Sequence, residues 1–305
     1  MKSGLLLLLS CAITGTLMAQ DADTSYWSFD AVGTAGFTNS GQTVYWQAGG
    51  ITSQAISGRI DFTAVYGRDN TSWHNDLVLA LGAIRQGSAS EARFIKNQDR
   101  IELTSKAGRL ISESLNIAAL LGFRTQFFDG FVFPVDQPTV LPSDTVSAFL
   151  SPAYAELGLG VDYQTSENFS VFYSPLSAKF TIVSAEEYRP LYIPQEITTG
   201  PIRSELGSNL RLQLKHTIAE HILFTTRANF FLNYLQDFPT VDVNWETLTT
   251  ARINNWFAVS FATNLVYDKD ILFNLVDDNG LQTGEQGPAI QFQHIVTLGL
   301  TYAFF

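Results

Sequence analysis

The chain has 305 residues, of which 46% are hydrophobic, 13% aromatic and only 15% charged, with 29 acidic against 18 basic side chains. That composition is too apolar for a disordered chain, and a net charge of −11 repels nucleic acid. No run of roughly 18 or more apolar residues follows the N-terminal segment, which excludes helical membrane spans.

The first segment, MKSGLLLLLSCAITGTLMAQ, places Lys2 before an apolar stretch from Leu5 and small Ala19 before Gln20. It reads as a secretory leader over residues 1–19. A rival reading makes Leu8-Leu9-Ser10-Cys11 a lipoprotein box with Cys11 lipidated, although the apolar core before Cys11 is then very short. Removal of the leader takes Lys2 and the single cysteine with it, so the exported chain has no disulfide framework. Residues 20–305 carry no linker composition, low-complexity segment or repeat, and are expected to form one domain.

What recurs is a period of two, in stretches of about ten residues separated by turn chemistry. In chain order such runs lie near 27–38, 52–67, 75–86, 97–107, 113–128, 147–163, 168–183, 203–215, 219–235, 241–250, 255–267 and 291–304. The clearest sets Leu206, Leu210, Leu212 and Leu214 against Gly207, Asn209, Arg211, Gln213 and Lys215. Another sets Leu157, Leu159, Val161 and Tyr163 against Glu156, Gly158, Gly160 and Asp162. Near Ser174-Pro175-Leu176 the parity flips within a run, which predicts a bulge.

A soluble antiparallel sandwich also alternates. Here, however, one face is continuously apolar in nearly every run, and the connections alternate in length. Those near 68–74, 108–112, 164–167, 216–218 and 251–254 are short. Those near 39–51, 87–96, 129–146, 184–202 and 268–290 are long, and 236–240 alone breaks the rule. Unpaired backbone groups are costly in hydrocarbon, so a spanning sheet must close on itself. The expected fold is therefore all-β: a closed antiparallel transmembrane β-barrel of about 12 strands, with short periplasmic turns and long extracellular loops. Trp27, Tyr66, Trp73, Tyr163, Trp256 and Tyr302 fall near the short-turn ends, and Tyr45, Trp46, Tyr234 and Tyr267 near the long-loop ends. Two girdles of aromatics are what membrane interfaces favour.

Gly299-x-x-Tyr302-x-Phe304 resembles the carboxy-terminal strand motif by which outer-membrane barrels are recognised by the barrel-assembly machinery. Leu298 stands where that motif is usually polar, and Phe305 lies one residue beyond the expected terminal aromatic. The exported chain also resembles an uncharacterised family of bacterial outer-membrane barrels, catalogued only as a domain of unknown function. The resemblance rests on Trp46-Gln-Ala-Gly-Gly50, Asp99-Arg-Ile-Glu-Leu-Thr-Ser-Lys106, Arg124-Thr-Gln-Phe-Phe-Asp-Gly130, Ser147-Ala-Phe-Leu-Ser-Pro-Ala153 and Val241-Asp-Val-Asn-Trp245. It implies a barrel in the outer membrane and no activity. The expected partners are outer-membrane lipid and lipopolysaccharide, the assembly machinery, and other outer-membrane or periplasmic proteins.

Catalytic chemistry is sparse. His74, His216 and His221 are expected in short turns at the periplasmic rim, and His294 on the lipid-facing parity of the last strand. Outer-membrane phospholipases place a serine–histidine pair on that face, but the same-face neighbours of His294 are Phe292 and Val296. Asp277-Asp278-Asn279-Gly280 offers oxygen ligands without the spacing of a calcium loop. His216 and His221 are five apart across a turn, which is weak evidence for zinc. No cofactor or metal is expected.

The inward parities carry charges of both signs. Arg100, Glu102, Arg124, Glu156, Arg211 and Arg227 are the candidate lumen network, since a narrow barrel fills its interior with side chains. The expected function is that of a non-enzymatic scaffold or accessory subunit with a largely occluded lumen. The alternatives are a narrow channel for small solutes and, further away, a lipid hydrolase.

Overall fold

All twelve alternating runs are strands in this computed structural model, which describes residues 26–40, 53–86, 94–132, 144–166, 168–193, 198, 200–235, 241–276 and 282–303. The expected leader with Cys11, the 41–52 segment with Tyr45 and Trp46, Asp277–Gly280 and Phe304 lie outside them. The strands are β1 Trp27–Ser40, β2 Ser53–Arg68, β3 Thr71–Gln86, β4 Ile95–Ser112, β5 Leu115–Thr125 and β6 Ala153–Ser166. They continue as β7 Phe169–Ile182, β8 Ile202–Ala219, β9 Ile222–Asn233, β10 Val241–Arg252, β11 Phe257–Tyr267 and β12 Gln291–Ala303. Each pairs antiparallel with its neighbours in sequence, and β1 pairs with β12 to close the barrel.

The strands run deeper into the short turns than the sequence pattern suggests. β4 continues to Ser112 and β8 to Ala219, across stretches expected as turns. Beyond the membrane edge both faces meet water, so alternation fades while ladder pairing persists; Arg68↔Thr71 closes directly over Asp69-Asn70. Asp69 takes a left-handed φ of 52°, a conformation short polar side chains tolerate. The other short connections are 113–114, 167–168, 220–221 and 253–256, and both ends of the barrel lie on this side. The opposite side carries 41–52, 87–94, 126–152, 183–201, 234–240 and 268–290. The 234–240 connection thus obeys the alternation that it seemed to break.

The parity flip in β7 is a bulge. Leu159 pairs with Leu176 and Val161 with Tyr173, so Ser174 and Pro175 together oppose Gly160. On the other edge Gly207 pairs with Ser177 and Asn209 with Ser174, leaving Ser208 against two residues. Proline supplies no N–H to a ladder, so a bulge is where it costs least. Gly160 is required opposite it, because a Cβ there would lie 2.0 Å from the Tyr173 carbonyl oxygen.

The outer surface is apolar and exposed. Phe37, Ile117, Leu159 and Val296 point outward with more than half of their area open. In water such a continuous patch would drive aggregation; in lipid it is the solvated face. At the short-turn side Trp27 stands 5.2 Å from Tyr66 and 5.6 Å from Trp73, ring centre to ring centre. Tyr163, Trp256 and Tyr302 are exposed at the same level, with Tyr234 and Trp245 exposed towards the other. A closed barrel bearing an apolar band between aromatic girdles is an outer-membrane protein, with its short turns in the periplasm.

The outer loops carry structure of their own. Gly130–Val132 pairs with Asp144–Ser147, and Leu272–Val276 with Gln282–Pro288. This explains why β6 begins at Ala153 rather than near 147. Residues 183–193 fold onto the first of these hairpins: Val183, Tyr188 and Ile193 are buried together, and the Tyr192 hydroxyl donates to Val146 O at 2.9 Å.

The lipid face has a direct test. Leu212→Arg places a charge in hydrocarbon and is expected to lower the stability of the barrel by about 2–4 kcal/mol, while Gln213→Arg, facing the lumen, is tolerated. Heat-modifiable gel mobility and a urea titration of the refolded protein measure both. Equal damage from the two would mean that the sheet has two packed faces.

Candidate functional site

Inward-facing polar side chains surround a lumen cavity of about 860 Å³. It reaches from the periplasmic rim, at Asn168, His221 and Arg252, to Lys96 and Gln98 near the outer end of β4. Period-two alternation puts these side chains here, because each strand turns its polar parity to the axis. Basic side chains outnumber acidic ones along the cavity. Over the whole chain the balance is the reverse.

Five of the six residues expected to form a lumen network enter ion pairs, in two groups. Arg100 reaches from β4 to β10, donating to Glu246 at 2.6 and 2.7 Å, and its Nε donates to Glu102 at 2.8 Å. Arg124 lies 3.7 Å from the same Glu246. Separately, Arg211 Nη2 donates to Glu156 Oε2 at 2.9 Å, and Asn229 Nδ2 donates to that oxygen at 3.2 Å. Arg227 faces Glu246 across the β9–β10 ladder but enters none of the ion pairs among the described residues. It lines the cavity, as do Lys215 and Arg252, which also enter none of those ion pairs. Glu246, the acid that joins Arg100 to Arg124, is the member missing from the expected network, although its parity was already inward.

Smaller pairs line the rest of the wall. Arg59 grips Asp61 through two hydrogen bonds of 2.6 and 2.5 Å. Lys106 pairs with Asp162 at 2.7 Å, and Ser170 bonds to both. Asp76 accepts from Thr63 at 2.7 Å and lies 3.1 Å from His74 Nε2.

At the outer end a third cluster was not singled out from sequence. Lys179 of β7 lies 2.6 Å from Asp242, 3.4 Å from Asp268 and 3.6 Å from Glu205. Arg203 pairs with Glu205 at 2.9 Å and with Asp270. Asp268 and Asp270 belong to the connection after β11, so this cluster ties an outer loop across the barrel mouth. Arg203 and Glu205 share the inward parity of Arg211, and extending that alternation to the start of β8 would have found them. No pattern could have brought in Asp268 and Asp270, which lie beyond the last alternating residue.

The histidines sit apart. His74 and His216 lie within β3 and β8 near their periplasmic ends rather than in turns, because those strands extend further than the alternation shows. His294 faces outward beside Phe292, at 6.1 Å between ring centres. Its partner on β11 is Thr263. Gly299 and Tyr302 of the assembly-strand motif lie on β12, with Tyr302 exposed to lipid.

Removing Glu156 leaves Arg211 in a partly buried site without its charge partner. Glu156→Ala is expected to cost about 2 kcal/mol or more. Glu186→Ala, on an exposed outer turn, should change stability by less than about 0.5 kcal/mol. Parallel urea titrations compare the two, and equal midpoints would show that water fills the lumen at Glu156.

Among solved structures the chain is similar to outer-membrane barrels. An outer membrane channel from Pseudomonas putida F1 is 12% identical, with 93% of this chain and 100% of that one covered at a TM-score of 0.39. The NanC porin is 6% identical over 88% and 98% of the two chains, at 0.36. The toluene transporter TodX of Pseudomonas putida is 10% identical over 92% and 89%, at 0.31. At these scores the fold stands on the chain's own closed strand order. No curated protein matches the chain by sequence. Residues 38–131 match the model of a family described as a protein of unknown function, DUF3078, a range that contains three of the five segments carrying the resemblance read from the sequence.

Proposed function

We propose that this barrel is a narrow, non-enzymatic channel for small solutes, with a preference for anions. The observation that carries the reading is the cavity of about 860 Å³, reaching from the periplasmic rim to Lys96 and Gln98 near the outer end of β4. An occluded scaffold would fill that space with side chains, as small barrels do. The basic surplus of the cavity wall, to which Arg227 contributes, supports the preference, because an excess of cations over carboxylates in a confined lumen attracts anions.

In this reading the ion pairs keep the bore narrow. Arg100 and Glu246 join β4 to β10 across the lumen, and the Lys179–Asp268 contact holds the outer loop against the wall. The accessory-subunit reading keeps one observation in its favour, the cluster that ties Asp268 and Asp270 over the mouth. Assembly follows the usual route in both readings, with the β12 motif Gly299, Tyr302 and Phe304 engaging the barrel-assembly machinery.

Planar-bilayer recording of the purified barrel tests the proposal. The expected result is a small unitary conductance with anion preference in a salt gradient. Arg227→Glu should move the reversal potential towards cations, and Asp268→Asn should raise the conductance by loosening the outer loop. A barrel silent in all three forms returns the reading to the scaffold.

A further inference from the structure

The barrel closes unevenly. Among the described residues β1 and β12 pair over five positions, from Val32↔Ala303 to Gly36↔Gly299. Each other seam pairs over ten or more. Beyond Gly36 both strands continue. Among the described residues, however, Phe37–Asn39 pair with β2 alone and Gln291–Leu298 with β11 alone. The outer half of this seam therefore has two facing strand edges that do not bond to each other.

The glycines mark where the strands part. A Cβ on Gly299 would lie 2.1 Å from the Ala35 carbonyl oxygen, so the two backbones are pressed together just below the opening. Above it, the Gln293 side chain of β12 reaches across the lumen, its Nε2 donating to the backbone oxygen of Asn97 on β4 at 3.4 Å. Asn97 is itself the extra residue of a bulge, between the Gly82↔Gln98 and Ala83↔Lys96 pairs.

The opening lies within the membrane band. Phe37, Phe292 and Val296 flank it on the outside, each with more than 60% of its area open. Phe292 pairs with Leu265, two residues short of Tyr267 in the outer girdle. On the inside, Ile295 and Thr297 of β12 line the lumen cavity along the gap, and Thr34 lines it just below, where the strands still pair. Free strand edges are untenable in dry hydrocarbon, and are tolerated where they border a hydrated cavity. The adjoining phase is the acyl region of the outer leaflet, and the gap joins it to a polar chamber.

We propose that the outer half of the β1–β12 seam is a lateral portal, through which the chain of a single-tailed amphiphile passes between the outer leaflet and the lumen. The apolar rim of Phe37, Phe292, Val296 and Ile295 suits the tail. The polar wall of Thr297 and Gln293, with the cavity's cations beyond it, suits a polar or anionic head. This deepens the channel reading by naming a substrate class, and it rests on the lumen serving as a conduit.

The test uses the full barrel in phosphatidylcholine vesicles with brominated acyl tails, and a bimane label on single cysteines in a Cys11→Ser background. Labels on Thr297→Cys, facing the lumen at the gap, and on Gln213→Cys, facing the lumen beside fully paired strands, are compared with outward Val296→Cys. Tail bromines should quench the Thr297 label at least about three-fold more than the Gln213 label, approaching the Val296 value, because hydrocarbon reaches the lumen only where the ladder is open. Ile295→Cys gives the same comparison if the first variant does not fold, as judged by gel mobility. Equal, weak quenching at Thr297 and Gln213 overturns the portal. Disulfide-linked dimers of Val296→Cys accompanied by weak quenching at Thr297 also overturn it, and assign the edge to a second copy of the chain. Quenching needs no solute flux. A barrel that is silent in bilayer recording yet quenched at Thr297 loses the channel and keeps the seam, and a conducting but unquenched barrel does the reverse.

Discussion

Every feature of this protein depends on one constraint: inside hydrocarbon, each backbone N–H and C=O must find a partner within the protein. A strand satisfies its groups only through neighbours, so the sheet closes, and closure fixes which parity faces lipid and which faces the axis. The apolar parity can then be exposed without penalty. The polar parity is forced into a confined space, where it must pair or hold water.

That confinement explains the arrangement of charge. The chain is acidic overall, yet its cavity wall carries a basic surplus. Carboxylates in the lumen are mostly occupied: Glu246 serves both Arg100 and Arg124, Glu156 serves Arg211 and Asn229, and Asp162 serves Lys106 and Ser170. A half-buried carboxylate without a donor is expensive, so acids are present where strands supply cations opposite them. Lys215, Arg227 and Arg252 line the same cavity and enter none of the ion pairs among the described residues.

The same constraint makes the incomplete seam meaningful. Eleven neighbouring strand pairs are long ladders, while the one that joins the first strand to the last is short. A bonded edge would be the cheaper arrangement in lipid, and Gly36 and Gly299 already permit close approach where the pairing stops. On the lumen side of the unpaired edge, the Gln293 side chain instead donates to Asn97 of β4.

The sequence by itself determined the class of fold, the number of strands, their face assignment and the side on which the long loops lie. Each of these follows from local alternation and turn chemistry. Even the β7 bulge was legible, because Ser174-Pro175-Leu176 breaks the parity within a single run. It also placed Arg100, Glu102, Arg124, Glu156, Arg211 and Arg227 on the inner face. Which of them meet was decided by the tertiary structure. Barrel curvature and the stagger between strands bring Arg100 to Glu246 across the bore and hold Arg211 against Glu156, and neither quantity is written in any one strand. The lid formed by Asp268 and Asp270 on Lys179 and Arg203 was invisible for the same reason: loop residues carry no periodicity to read. The short β1–β12 ladder depends on where the two ends of the chain meet after ten other strands have set the circumference.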